Sequence, residues 1–565
     1  MIISILKKLK YIYLKCDFKY TWVFYLSIFT SLLVSVMEAS FVASIFALIK
    51  NITGSLDNTF FFNNKIFVNL KNFFNFDSFT FILLLSSLII IIVTLLKILN
   101  TFLNTFLYYK INSLVSFKIF FNTIKQDLQF HNITNSSLFV SAIIQKSKSI
   151  GEITFFILGI IKSIFMLTAI TIIAVFISSN IFLLFFLIFL SIFLIIYIIF
   201  KSNLKKIGIA ISLYSDKVTK TLQESYQSII YILLYSCQKL VGKNFQYAIE
   251  QLRKNEAKTV FFSTVPYIFV QTFAVLGVLF FIYFFELKNN FIDLIPLAAM
   301  WLLAIQRLIP SFNEIFSSLS TIKALKKNFS DVDYFLNLKL KYEKSKKKII
   351  FEKYITFKKV TFSYKTNSDL IFDKINLKIK KNSIFGIKGK TGSGKSTLLN
   401  ILMGFYEPTE GNVYIDNTKL SNSKLFNWQK KISYVPQKIF LIDDTIESNI
   451  AFAETNLNKN LINKVVEICE LSDFINKQKD GLKAIIGENA NRISGGQKQR
   501  IGIARALYKN TNILILDESL NSLDYKTKIK ILHKIKKLNK TIIIISHDKN
   551  DLIICDQIFD MDKLK

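Results

Sequence analysis

The chain has 565 residues, 52% hydrophobic and 15% aromatic, and a formal charge of +33. That length leaves room for two or more folding units. Lysine runs through the whole chain beside abundant Ile, Asn and Phe, which argues against a nucleic-acid-binding patch. Four scattered cysteines (Cys16, Cys237, Cys469, Cys555) show no metal-ligand spacing, and three histidines exclude a histidine-rich metal site.

The opening stretch, MIISILKKLKYIYLKCDFKY, has no small-residue cleavage site before the first long apolar run. It reads as a basic cytoplasmic lead-in rather than a cleaved signal peptide. About 20 apolar residues cross a bilayer core as a helix. Six stretches qualify, at 21–47, 79–107, 152–178, 181–202, 259–285 and 291–317. Short tips at 178–180 and 287–290 join the third span to the fourth and the fifth to the sixth, while long mixed stretches at 108–151 and 203–258 predict helices continuing past the membrane on one side. Lys7, Lys8, Lys10, Lys15 and Lys19 precede the first span, and Lys110, Lys118, Lys125, Lys146, Lys148, Lys201, Lys205 and Lys206 lie in or beside the long loops. The positive-inside tendency puts the N-terminus and both loops in the cytoplasm of a protein of the inner (plasma) membrane.

Between the first two spans, TFFFNNKIFVNLKNFFNF (59–76) is too polar to cross. Its apolar residues recur at helical spacing, which suits an amphipathic helix in the outer headgroup region, or an ordinary Phe-rich loop. Charges inside spans are costly and therefore informative. Lys97 and Arg307 lie about 17 and 16 residues into the second and sixth spans, near the same depth of ~25 Å. Lys162 enters the third span from the inner side and Glu38 sits in the outer part of the first. Lys97, Lys162 and Arg307 either line a cavity for an anion such as a phosphate or pyrophosphate headgroup, or snorkel and pair structurally with carboxylates.

Residues 1–325 are thus predicted as a transmembrane domain, 326–350 as a charged linker, and 351–565 as a soluble α/β domain. There NSIFGIKG (382–389) reads as a buried strand feeding GKTGSGKST and a helix from Lys395, the context a phosphate loop requires. Gly389, Lys390, Thr391, Gly392, Ser393 and Gly394 form the loop whose backbone N–H groups turn toward phosphates. Lys395 reaches the β- and γ-phosphates, Ser396 offers a hydroxyl to Mg²⁺, and with Thr397 they open a helix whose dipole favours an anion. NILILDES (512–519) is a strand ending in Asp517, suited to the Mg²⁺ shell, and Glu518, suited to polarising the attacking water. TIIIISHD (541–548) delivers His547 to the same sheet edge, where ligands of parallel sheets bind. ISGGQKQRIGIARAL (493–507) supplies a second phosphate-binding helix start through Ser494, Gly495, Gly496 and Gln497. One domain does not need two such starts for one nucleotide, which points to a head-to-tail pair, each domain capping its partner's ATP.

In these motifs the chain resembles, over nearly its whole length, the ATP-binding cassette transporters in their exporter-type half-transporter form. The resemblance implies a six-helix transmembrane domain fused to a cytoplasmic α/β P-loop cassette, with ATP and Mg²⁺ as cofactors and a second half-transporter, a homodimer, as partner. Tyr364, 25 residues before Gly389, matches the aromatic that stacks on adenine. Gln437 matches the glutamine that touches Mg²⁺ and links to the membrane domain, and Asp524 in SLD the loop that communicates across the dimer. Coupling helices are implied near 127–140 and 221–232. Ile493 stands where Leu is usual and SLNSLD where Ala-Thr-Ser-Ala-Leu-Asp is usual; neither removes a group needed for hydrolysis.

Residues 298–325 look like the sixth span of lipid-linked oligosaccharide flippases, which also carry an outer amphipathic helix between spans one and two. Arg307 aligns with an arginine of that motif. The implied function is ATP-driven export or flipping of an amphipathic substrate, a polyprenyl-pyrophosphate-linked glycan or related lipid. Alternatives are export of another lipid, a peptide or a drug, and an ATP-gated channel or regulatory membrane protein. The last often lacks the glutamate that Glu518 supplies here.

Overall fold

The computed structural model describes residues 2–16, 18–53, 77–178, 180–286, 291–339, 349–364, 370–487 and 492–564. The stretch 59–76, expected as an amphipathic helix or a loop, lies outside them. The chain divides into two compact units, Met1–Ile124 with Thr134–Lys339, and Lys125–Ile133 with Leu340–Lys565.

Long helices carry the apolar runs. After a lead-in helix α1 (Ile2–Lys15) come α2 (Thr21–Ile52) and α3 (Ser78–Ile124). The short helices α4 (Leu128–Ile133) and α5 (Ser136–Ser141) turn the first long loop. Then follow α6 (Lys148–Ser178), α7 (Asn180–Gln227), a short α8 (Ile229–Leu234), α9 (Gln238–Glu286), α10 (Phe291–Ala324) and α11 (Lys326–Leu336). At 47 residues, α3 is roughly 70 Å long, more than twice a bilayer core. Over the described residues five of the helices are long and apolar enough to cross a membrane. On α3, Leu84, Leu88, Ile91, Leu95 and Ile98 are exposed at alternating spacings of four and three, an apolar stripe suited to lipid rather than water.

Polar side chains join these helices where hydrophobicity cannot discriminate. Asn100 on α3 donates to the Ser27 carbonyl (3.0 Å), Thr30 Oγ1 (2.8 Å) and Ser31 Oγ (2.9 Å) of α2. Ser27 Oγ donates to Asn104 Oδ1 at 2.5 Å. Ala39, Ala174, Met300, Trp301, Ala304 and Phe312 form the buried apolar seam of α2, α6 and α10. Gly208 on α7 lets the chain pass the end of α10, since a Cβ there would stand 2.1 Å from the Ala324 carbonyl oxygen.

Residues 326–336, expected within a linker, form α11, which buries Phe329, Val332, Phe335 and Leu336 in the first unit. A buried lysine ties it down. Lys146 ends a π-helical turn (Ala142–Lys146) that leads into α6. Its ammonium lies 2.7 Å from both Asp216 Oδ2 on α7 and Asp331 Oδ2 on α11. Ser141 Oγ donates to Asp216 Oδ1 at 2.6 Å and Ser212 Oγ to Asp331 Oδ2 at 3.1 Å.

The second unit holds two sheets. β1 (Tyr354–Phe362), β2 (Phe372–Lys380), β4 (Glu410–Ile415) and β5 (Thr418–Lys419) form an antiparallel sheet in the order β2-β1-β4-β5, while β3 (Ile384–Lys388), β6 (Ile432–Val435), β7 (Ile513–Asp517), β8 (Thr541–Ile545) and β9 (Gln557–Asp560) form a parallel sheet in the order β6-β7-β8-β3-β9. β7 and β8 are buried at every position, as central parallel strands covered on both faces must be. Crossover connections carry α12 (Lys395–Leu402), α13 (Lys459–Ile468), α14 (Gly495–Tyr508) and α15 (Tyr525–Lys536). Helix α4 belongs to this unit: Asn132 Nδ2 donates to the Tyr406 hydroxyl at 2.8 Å.

Candidate functional site

β3 ends at Lys388 and the loop 389–394 turns it into α12. The turn needs glycine where φ is positive, +83° at Gly392 and +95° at Gly394. Lys395, 7% exposed, donates to the carbonyls of Gly389 (2.6 Å) and Lys390 (2.9 Å). Burial lowers its proton affinity, opposed by the carboxylates of Glu518, Asp562 and Asp517. Ser393 Oγ is buried without a hydrogen-bond partner, and Ser396 and Thr391 are exposed at the loop and helix start. Thr397 Oγ1 shares a hydrogen bond of 2.8 Å with the Tyr364 hydroxyl, which draws the aromatic expected over adenine onto α12. Tyr364 also packs edge-on against Tyr406, with ring centroids 5.7 Å apart.

β7 delivers the two acids. Asp517 is 7% exposed; burial raises its carboxyl above the ordinary range, and the Tyr434 hydroxyl donates to Oδ2 at 3.0 Å. Glu518 has φ +48°, a left-handed conformation unusual for a residue with a side chain and a recurrent mark of functional sites. Its carboxylate is held from two sides: Gln437 Nε2 donates to Oε2 at 2.7 Å, and His547 Nε2 lies 2.8 Å from Oε1. Gln437, Glu518 and His547, far apart in sequence, thus converge on one carboxylate. Ser396, Gln437 and Asp517 offer hydroxyl, amide and carboxylate oxygens, the hard donors Mg²⁺ prefers.

Ser494 caps α14 through a reciprocal box: its N–H donates to Gln497 Oε1 (2.8 Å) and Gln497 N–H to its Oγ (3.2 Å). Gly495 and Gly496 follow on a helix of 14 residues. Gln499 Oε1 accepts the Ser522 N–H at 3.0 Å, joining this helix to the SLD loop. Asp524 caps α15, its carboxylate accepting the Thr527 N–H at 2.9 Å and held below its usual range by that bond.

In the first unit a cavity of about 280 Å³ is lined by Glu38, Lys97, Asn100, Lys162, Arg307 and Glu314, among others. The structure therefore brings the three cations together, and each has a carboxylate. Glu38, fully buried, forms ion pairs with Lys97 and with Arg307 Nε, the latter at 3.1 Å. Glu314 Oε1 lies 3.0 Å from Lys162 Nζ, and its Oε2 accepts from Ser163 Oγ at 2.8 Å. Three cations against two carboxylates leave the cluster with one positive charge.

Glu314, Tyr434, Tyr406 and Asp562 escape sequence reasoning. Only Glu314 carries a usable signal, since it stands seven residues after Arg307 on one face of α10.

Residues 372–521 match the family model described as ABC transporter. A putative export ATP-binding/permease protein of Rickettsia typhi is 42% identical over 214 residues, covering 37% of this chain and 37% of that protein. An ATP-dependent lipid A-core flippase of Wigglesworthia glossinidia brevipalpis is 41% identical over 208 residues, covering 35% and 36%. The aligned segment thus spans little more than a third of either relative. The structure of a bacterial Atm1-family ABC exporter with ATP bound superposes with a TM-score of 0.78 at 18% identity, covering 94% of this chain and 93% of that one. The chain therefore carries an ABC transporter domain over residues 372–521 and shares the fold of that ABC exporter.

Proposed function

We propose that the protein is one half of an ATP-driven exporter that moves an amphipathic lipid, a polyprenyl-pyrophosphate-linked glycan or a close relative, out of the inner leaflet. The observation that carries the ATPase reading is the Glu518 carboxylate clasped by Gln437 and His547 at the end of β7, two strands from the β3 that feeds the phosphate loop. Glu518 would accept the proton of the attacking water. Gln437 and His547 orient it, and His547 would sense the γ-phosphate. The loop's N–H groups and Lys395 would hold the β- and γ-phosphates, with Lys395 exchanging its two loop carbonyls for phosphate oxygens. Ser396, Gln437 and Asp517 would hold Mg²⁺, which supplies charge neutralisation on the triphosphate.

A second copy of the chain would complete each site through its Ser494–Gln497 helix start, favourable to an anion. The cargo reading rests on the cavity of Lys97, Lys162 and Arg307, with its surplus of one positive charge, and on the relative named as a lipid A-core flippase. Its carboxylates narrow the reading: a headgroup must compete with Glu38 and Glu314 for the cations, which favours a diphosphate able to engage two at once over a singly charged group.

Flipping of a fluorescent polyprenyl-pyrophosphate glycan in sealed proteoliposomes tests this. ATP-dependent flipping is expected from the unmodified protein, and Arg307→Ala is expected to lower its rate at least tenfold, about 1.4 kcal/mol, while ATP hydrolysis without lipid is kept. Hydrolysis without any lipid movement would remove the cargo reading and leave the ATPase.

A further inference from the structure

The last turn of the chain, Met561–Leu564, lies on the phosphate loop. β9 runs beside β3 with Asp560 opposite Lys388, so the two strands leave the sheet together. Met561 is 2% exposed, and a Cβ on Gly389 would meet its Cβ at 2.9 Å. The next residue, Asp562, accepts the Lys390 N–H on both carboxylate oxygens, at 2.9 and 3.2 Å. Its own N–H donates to Asp560 Oδ1 at 3.1 Å.

The Lys390 N–H and the Gly389 carbonyl belong to the same peptide group. That carbonyl accepts Lys395 Nζ at 2.6 Å. One peptide unit is therefore sandwiched between a carboxylate at its N–H end and an ammonium at its C=O end. Hydrogen bonds in such a chain polarise and strengthen one another. The arrangement steadies Lys395 on its own loop carbonyls.

We propose that Asp562 is a positioning residue that opposes nucleotide binding, holding Lys395 on the loop through the Gly389–Lys390 peptide and repelling the incoming triphosphate. The inference rests on the ATP reading above. Both effects have the same sign. Met561 and the β3–β9 pairing anchor the loop independently, so Asp562 is not needed to keep it folded. Glu518 and Asp517 also lie near Lys395, but the reaction itself employs them; Asp562 has no such role. Its consequence is a raised KM for ATP with little change in kcat.

The test uses the full-length protein in lipid nanodiscs with MgATP as the probe. Asp562→Asn keeps an acceptor for the Lys390 N–H and removes the charge. Its Kd and KM for MgATP are expected to fall roughly threefold to fivefold, with kcat within about twofold. Because the group is exposed, the gap from wild type is expected to narrow between about 50 mM and about 500 mM salt. An unchanged or raised Kd in Asp562→Asn overturns the proposal. So does a weakening confined to Asp562→Ala, which would make the residue a structural staple. Failure of the ATP reading is separate: wild type would then show no MgATP binding that Lys395→Ala weakens.

Discussion

Glu518→Gln is expected to slow ATP hydrolysis by about 10²- to 10⁴-fold, the range that a positioned general base contributes. MgATP binding should survive. The substitution is nearly isosteric, and the left-handed backbone at Glu518 is held by its N–H bond to the Ile545 carbonyl at 3.0 Å. Glutamine can still accept from Gln437, so the geometry persists while the proton acceptor is lost. Phosphate release and equilibrium nucleotide binding, measured on the same preparation, check both halves. Hydrolysis within tenfold of wild type would move the base elsewhere, and loss of binding would show that Glu518 serves the fold rather than the chemistry.

Lys146→Met is expected to have the largest effect on stability. Removing one partner from a buried ion pair costs about 3–5 kcal/mol. Asp216 and Asp331 keep about a fifth of their side-chain surface exposed, which places the expected cost near the lower end, about 3 kcal/mol. The pH dependence has a definite sign. Burial alone would raise the Asp331 carboxyl, but the ammonium groups of Lys146 and Lys327 more than offset this and hold it below the usual range. A carboxyl with a lowered folded pKa stabilises the fold above its unfolded pKa, and that contribution is lost as pH falls through the folded value. In Lys146→Met the carboxylates lose their shared cation, so the deficit is expected to be greatest at neutral pH and to shrink on acidification, as Asp331 takes up a proton. Thermal unfolding in detergent from about pH 7 down to about pH 3, through the range in which ordinary and lowered carboxyls take up protons, checks this. A deficit that grows on acidification would sink the pairing account.

The elements legible in the sequence are those whose physics is one-dimensional. β7 and β8 are unbroken apolar runs because both their faces are covered, and the spans announce themselves by length. The phosphate loop and the SGGQ helix start are local: glycine, the capping residue and the lysine stand next to one another. Pairings across the fold are not local. Nothing near Lys146 in sequence points to Asp331, 185 positions away, and nothing near Arg307 points to Glu38. The expectation that Gln437 faces Mg²⁺ could not foresee its bond to Glu518, because that contact depends on β6 and β7 being neighbours. Helix α11 is hidden for another reason: Phe329, Val332, Phe335 and Leu336 sit among lysines and aspartates, and the charged average masks a narrow apolar face. Residues 125–133 belong to a cytoplasmic loop in the sequence reading, and no local pattern announces the bond from Asn132 to Tyr406 that they make in the second unit.

That segment has a consequence for the order of events as the chain is made. Asn132 and its partner Tyr406 are 274 residues apart. At about 5–20 residues per second, α4 waits roughly 15 to 55 seconds after its own synthesis before the surface it joins exists. The helices α6, α7, α9 and α10 are still to be made during that interval. The cassette is therefore discontinuous in sequence and its final piece is the oldest one, so a recombinant fragment beginning at residue 349 would lack a piece of its own unit.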